Sequence, residues 1–419
     1  MSAELLLTVA PYPHQIKTVE MYRKLPTVLN GSEMGTGKSL SIIMLCIESD
    51  KPCLVVAPAS LCLNWADEFK KFSAEIPTIY PDVSGRIIII SQDIIHKAAK
   101  VFVGRDIVAV DECQGFCNIK SRRTKALQKY MKESPPNKLI LMSGTPMKNR
   151  IPELYSLFLL MDTVANYGFK AEFPNQWIFN HRYTNPTIQR IGRIQVTKFE
   201  GFRNHVELRD RWLTPRYLRY RLSDLRDIPE LQYIPIHAPI KLVEVDAELE
   251  GGWKCLDLGE TVPTHVMTAK LTSALAKVEY TTEFCQNLLA QGAEHLVVFS
   301  DHVEPAIRLA ANLGGALITG ETPQEERQAT VRAFQEGKLP VVVGTIGAMG
   351  TGLTLTRSHI VVMNDQSYVP SQNYQAVGRI RRIGQDRKCL VYIISRMGID
   401  TDINSLLISK ARTIRAVFD

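Results

Sequence analysis

Four short apolar runs, Cys53–Ala57, Arg86–Ser91, Ile107–Val110 and Leu139–Met142, punctuate the first third of the chain. Runs of this length, without polar alternation, read as strands buried on both faces. Stretches of helical period lie between them. Ser60 to Phe72, for example, spaces Leu61, Leu63, Trp65, Phe69 and Phe72 along one helix. Strand and helix in alternation predict a parallel sheet with helices on both faces, and such a sheet takes its ligands at the carboxyl ends of its strands. The pattern changes from Pro152 onward and returns beyond Lys270, with His295–Ser300, Ala316–Ile318, Val341–Val343 and Ile360–Met363 as strands and Gln324–Gln335 and Ser371–Arg382 as helices. The expected fold is therefore α/β, with parallel-sheet lobes at 1–160 and 270–419 and a helical, arginine-rich insertion and linker at 161–269.

What stands at the strand ends carries the chemistry. Val28-Leu29-Asn30 runs into Gly31-Ser32-Glu33-Met34-Gly35-Thr36-Gly37-Lys38-Ser39, and Ile42 to Leu45 then follows at helix-like density. Glycines between a strand and a helix let backbone N–H groups turn inward on phosphates. In such a loop Lys38 reaches the β and γ oxygens and Ser39 offers a hydroxyl to Mg²⁺. Ser32 stands where the usual spacing has its first glycine. Asp111-Glu112 closes the third run: the aspartate can hold Mg²⁺ and the glutamate can orient an attacking water. Near the other end of the chain, Arg379 and Arg382 are three apart and share a helical face, a pair suited to charge developing on a γ-phosphate. Gln15, two dozen residues before the loop, is a candidate for the adenine edge.

Charge is concentrated. The chain carries a net +7, and the segment from His181 to Arg226 alone holds eleven basic residues against Glu200, Glu207, Asp210 and Asp224. Aromatics interleave just before and into it: Tyr155, Phe158, Tyr167, Phe173, Trp177, Phe179 and Tyr183. By composition a solvated helical face and a phosphate-tracking surface fit this segment equally. The eight cysteines lack paired spacing and read as reduced thiols of an intracellular protein, cytoplasmic or nuclear, and no run has the length of a membrane span.

In order along the chain, these blocks resemble the SWI/SNF-type ATPases of helicase superfamily 2. The matching stretches are Gln15, Glu33–Ser39, Leu54–Ser60 through Trp65 and Phe69, Asp111-Glu112, Ser143-Gly144-Thr145-Pro146, Val298–Ser300, Gly320–Pro323 through Arg327, Gly350–Leu355, and Gln375–Arg379 with Arg382–Gln385. Arg150–Tyr155, Phe173-Pro174 and Arg182-Tyr183 are similar to the annealing-helicase branch, with the resemblance confined to the motor core.

The resemblance implies two RecA-like lobes with ATP and Mg²⁺ in the cleft. Gln15 would contact adenine. Gly35, Thr36, Gly37 and Lys38 would hold phosphates, Ser39 and Asp111 the metal, and Gly350 and Gly352 would complete the nucleotide site. Glu112, Arg379 and Arg382 would be catalytic. Ser60, Gln92, Gly320 and Thr345 would contact DNA phosphates. The implied partner is double-stranded or forked DNA, bound by a monomer with no membrane association, and the implied activity is translocation that remodels or anneals DNA. A strand-separating helicase and a nucleotide-gated scaffold without turnover are the alternatives. Three departures from the family pattern stand out: Ser32 replaces an acid, Cys113-Gln114 replaces Ala-His, and Tyr368-Val369-Pro370 replaces Trp-Asn-Pro.

Overall fold

The computed structural model describes residues 7–191, 194–225, 229–240, 264–350, 352–382 and 384–418. The chain groups into two compact units, Met1–Arg226 with Thr413–Asp419, and Asp227–Arg412. Of the residues singled out above, Arg193, Arg226, Thr351 and Ile383 lie outside the described ones, as does 241–263 of the linker.

In the first unit the strands are β1 (Thr27–Asn30), β2 (Cys53–Ala57), β3 (Thr78–Ile79), β4 (Ile87–Ser91), β5 (Ile107–Val110), β6 (Lys138–Met142), the separate pair β7 (Asn185–Ile191) and β8 (Ile194–Glu200), and β9 (Tyr217–Leu218). Seven of them form one sheet in the order β3-β4-β2-β5-β6-β1-β9, every pairing parallel. Its helices include α1 (Pro13–Lys24), α2 (Lys38–Ser49), α3 (Cys62–Phe72), α4 (Arg122–Glu133), α5 (Leu154–Ala165), α6 (Phe169–Glu172) and α7 (Gln176–Tyr183).

Successive strand side chains point to opposite faces, so a continuous apolar run feeds two cores. Leu54, Val56, Ile88 and Ile90 join one buried cluster, while Cys53, Val55, Ile87 and Ile89 join the other. Each such Val or Ile contributes roughly 1.5–3 kcal/mol by leaving water.

The second unit repeats the plan with β10 (Leu231–His237), β11 (Leu296–Ser300), β12 (Ala316–Ile318), β13 (Val341–Thr345), β14 (Ile360–Met363) and β15 (Cys389–Ser395). Their order is β10-β15-β14-β11-β13-β12, again all parallel. Val297 and Phe299 face one cluster, Leu296 and Val298 the other. Each unit is thus a RecA-like parallel-sheet lobe, as the strand–helix alternation predicts. Among the described residues no helix is long and apolar enough to cross a membrane.

The arginine-rich segment is not wholly helical. β7 and β8 form an antiparallel hairpin with Pro186 opposite Phe199, Ile188 opposite Thr197 and Arg190 opposite Gln195. The reason is visible in its residues. Thr187-Ile188, Ile191, Ile194 and Val196-Thr197 crowd β-branched residues into the stretch, which suits a pleated ribbon better than a helix. Phe158, Phe169, Phe173, Phe179 and Tyr183 before the hairpin and Trp212 after it interlock as buried rings in one core of the first unit.

Candidate functional site

Three strand ends of the first unit meet at one place, because β5, β6 and β1 are neighbours in the sheet. β1 delivers the glycine loop. Gly35 and Gly37 have φ of 83° and 78°, a left-handed conformation that side chains other than glycine resist. Gly37 also immediately precedes α2, whose first turn carries Lys38 and Ser39 and presents backbone N–H groups with the positive end of the helix dipole. A Cβ on Gly37 would lie 2.2 Å from the Gln15 amide nitrogen. A side chain there would be strained by the positive φ and would displace the Gln15 amide from the loop.

Gln15 is buried and serves the loop directly. Its amide donates to the Gly37 carbonyl at 3.2 Å, and its oxygen accepts from the Tyr12 N–H at 2.8 Å. The Lys38 ammonium donates to the carbonyls of Ser32 (2.7 Å) and Glu33 (2.9 Å), which folds it back across the loop. Thr36 closes the turn by donating to the Glu33 carbonyl at 2.8 Å. Ser39 is half-buried on α2.

A remote segment braces the loop's first half. Gly31 N–H donates to Leu218 O (2.7 Å), Glu33 N–H to Tyr220 O (2.9 Å), and the Glu33 carboxylate accepts from Leu222 N–H (3.0 Å). The Ser32 hydroxyl accepts from the Tyr220 N–H at 3.1 Å. A Cβ on Gly31 would meet the Tyr217 ring at 2.3–2.7 Å. The end of the arginine-rich segment is thus built into the wall of the loop.

β5 delivers the acidic pair. Asp111 Oδ2 accepts from the Trp65 indole N–H at 2.9 Å, and Oδ1 from the Glu112 N–H at 2.9 Å. Burial and the neighbouring Glu112 push the Asp111 carboxyl up to about 7, against the lowering influence of Trp65 and Lys38. Glu112 takes a left-handed conformation, φ 47° and ψ 51°, rare for a residue with a side chain. Its carboxylate accepts from the Gln114 amide at 2.5 Å, with the Ser143 hydroxyl at 3.5 Å. Gln114, the departure at the usual histidine position, therefore grips the glutamate directly. β6 supplies Ser143, whose hydroxyl accepts from the Thr145 N–H, and Gly144, where a Cβ would lie 2.9 Å from Met34 of the glycine loop.

Gln92 is buried at the end of β4, and its amide donates to the carbonyls of Asp111 (2.6 Å) and Glu112 (3.3 Å). A Cβ on Gly115 would lie 2.4 Å from its oxygen, so a side chain there would displace the Gln92 amide. Ser60 is half-buried on a single turn of 3-10 helix after β2.

In the second unit, Arg379 is 1 % exposed and its guanidinium is spent on carbonyls, donating to Gly350 (2.7 Å), Gln375 (3.0 Å) and Leu353 (3.3 Å). Arg382 is half-buried and donates to Gly378 O and the Thr354 hydroxyl, both at 3.0 Å. Gly352 has a φ of 73°, and Thr345 caps the helix Ile346–Met349 by accepting from Ala348 N–H. Gly320 is exposed.

Trp65 and the Tyr217–Leu222 strap are the contributors that motif spacing does not single out for this chemistry. Trp65 reads as one more core position on α3. Only the polar tip of an otherwise buried indole, which needs an acceptor, hints at more.

The chemistry of the donor set fits a magnesium–nucleotide pair. A glycine-lined helix start takes phosphate, and two crowded carboxylates, one of them held near neutrality, favour a divalent cation.

Comparison with known proteins gives matching results along most of the chain. Residues 14–195 match the SNF2-related domain and residues 277–384 the helicase conserved C-terminal domain. The SWI/SNF-related matrix-associated actin-dependent regulator of chromatin subfamily A-like protein 1 of Xenopus tropicalis is 26% identical over 90% of this chain and 41% of that protein. The DNA annealing helicase and endonuclease ZRANB3 of Mus musculus is 24% identical over 91% of this chain and 38% of that protein. An uncharacterized ATP-dependent helicase of Mycoplasma pneumoniae is 25% identical over 86% and 37%. The chain thus spans about two fifths of the length of these curated relatives. Among solved structures, the Sulfolobus solfataricus SWI2/SNF2 ATPase core in complex with dsDNA aligns over 98% of this chain and 93% of that one, at 19% identity and a TM-score of 0.43.

Proposed function

We propose that this chain, which belongs to the SNF2-related helicase family, is an ATP-driven translocase on double-stranded DNA that remodels or anneals it, forked structures included. The observation that carries the reading is the meeting of the Gly35–Ser39 loop, Asp111-Glu112 and Ser143–Thr145 at adjacent strand ends, with Gln114 gripping Glu112.

The geometry supports a role for each of these residues. Gly35, Thr36 and Gly37 turn backbone N–H groups to the phosphates, and Lys38 exchanges its two loop carbonyls for phosphate oxygens. Ser39 and Asp111 would hold magnesium, which offsets phosphate charge when bound. Glu112, aimed by Gln114, orients the attacking water. Gln15 couples the adenine edge to Gly37. Because Arg379 is committed to its own unit's carbonyls, we assign it to bracing the turn at Gly350 and Gly352, and assign Arg382 to the charge on the transferring phosphate. Gln92 and Thr345, both buried, brace rather than touch DNA in this scheme, leaving Ser60 and Gly320 for the DNA backbone.

Strand annealing and strand displacement, assayed side by side with ATP on a partly duplex substrate, test the direction of work. ATP-dependent annealing that Lys38→Ala abolishes supports the reading, and displacement without annealing contradicts it.

A further inference from the structure

Of the eight aromatics from Tyr155 to Tyr183, Tyr155, Phe158, Phe169, Phe173, Phe179 and Tyr183 are buried and Tyr167 packs against their cluster. Trp177 departs from them. It lies on α7 with 58 % of its surface exposed, although indoles are among the side chains that gain most from burial. One turn along, the His181 ring lies 3.6 Å from it, centroid to centroid, and Phe199 of β8 meets His181 edge-on at 5.0 Å. The strip continues onto the hairpin. Phe199 stands opposite Pro186, and on the same face come Ile188, 73 % exposed, and then the exposed Arg190. Arg203 donates to the carbonyls of His181 and Arg182, which fixes a second cation beside the rings.

An aromatic and apolar ladder between cations, on a hairpin whose described residues carry Arg190 and Lys198 against Glu200 alone, has the composition that recognises unpaired nucleotides. Flat rings stack on bases and flanking arginines take the phosphates. Paired bases offer no free face to stack on. We infer that Trp177, with His181, Phe199 and the β7–β8 hairpin, forms a stacking platform for an unpaired DNA base where a duplex opens into single strands. This rests on the DNA-translocase reading and specifies which part of a branched substrate the first unit grips.

The test compares the full chain binding two fluorescent DNAs, a blunt duplex and the same duplex with unpaired tails that carry 2-aminopurine beside the junction. Wild type is expected to prefer the tailed duplex and to quench the 2-aminopurine. Trp177→Ala should weaken tailed-duplex binding about tenfold and lose the quenching. Blunt-duplex binding and duplex-stimulated ATP turnover should stay as they are, and Trp177→Phe should retain most of the preference. Because Trp177 lies outside the core, an unchanged melting temperature serves as the folding control. A tailed-to-blunt ratio that Trp177→Ala leaves intact overturns the platform while sparing the translocase reading. A wild-type chain that binds neither DNA and is stimulated by neither overturns both.

Discussion

The Ser32 hydroxyl accepts a hydrogen bond from the backbone N–H of Tyr220, 188 residues further along the chain, at 3.1 Å. A serine that looks like a defect in the phosphate-loop motif is therefore a joint. It ties the loop to the end of the arginine-rich segment, beside the β1–β9 pairing and the Glu33–Leu222 bond. Any movement of residues 217–222 has a short, bonded path to the glycine loop.

This joint can be cut in two ways. Ser32→Ala removes the acceptor from a partly buried N–H and should cost about 1 kcal/mol. Gly31→Ala drives a methyl into the Tyr217 ring and should cost more, because ring and strand must part. Urea unfolding checks the order of the two losses.

Gln92 supports a different prediction. Its amide holds the carbonyls of Asp111 and Glu112, so Gln92→Ala should lower kcat by about tenfold or more while leaving KM for ATP nearly unchanged. Steady-state kinetics read the split. A DNA-contact role would instead raise the DNA concentration needed for half-maximal stimulation.

The Asp111 carboxyl has a defined effect on stability. Its folded value, about 7, lies above the unfolded value of about 4. The folded state therefore holds the extra proton, and the stability tied to it is complete below about pH 4 and lost as pH rises through about 7. Without nucleotide and magnesium, Asp111→Asn should raise the melting temperature at pH 8 and change little at pH 4, while abolishing ATP turnover. Thermal melts at the two pH values check the sign.

Arg379 and Arg382 should separate experimentally. Arg379→Ala strips three carbonyl partners from a buried site and should cost on the order of 3 kcal/mol, with loss of activity following loss of fold. Arg382→Ala, half-buried, should destabilise less and still remove most of kcat. Parallel melting and turnover measurements distinguish the two losses.

The strands with continuous Val and Ile runs are legible in the chain because burial on both faces leaves no room for polar alternation. Gly35, Gly37 and the Asp111-Glu112 pair are legible because their residue types have few other uses at a strand end. β9 is not. Tyr217-Leu218 lies among arginines, and only its pairing with β1, a contact across nearly 190 residues, makes it a strand. Nor is the service of Trp65 to Asp111, which depends on how α3 packs against the sheet. The hairpin's β-branched content is present in the residues from Thr187 to Thr197, but arginine content masks it and invites a helix. Gln92 illustrates the limit most clearly: a polar residue at a strand end reads as surface, and tertiary packing has turned it inward.

Phosphate release from ATP and Mg²⁺, by the full chain with and without added duplex DNA, tests the central claim most directly. The account predicts slow turnover alone, a rise of at least severalfold with duplex or forked DNA, and none of either with Glu112→Gln. Turnover that no DNA changes, or that survives Glu112→Gln, would contradict it.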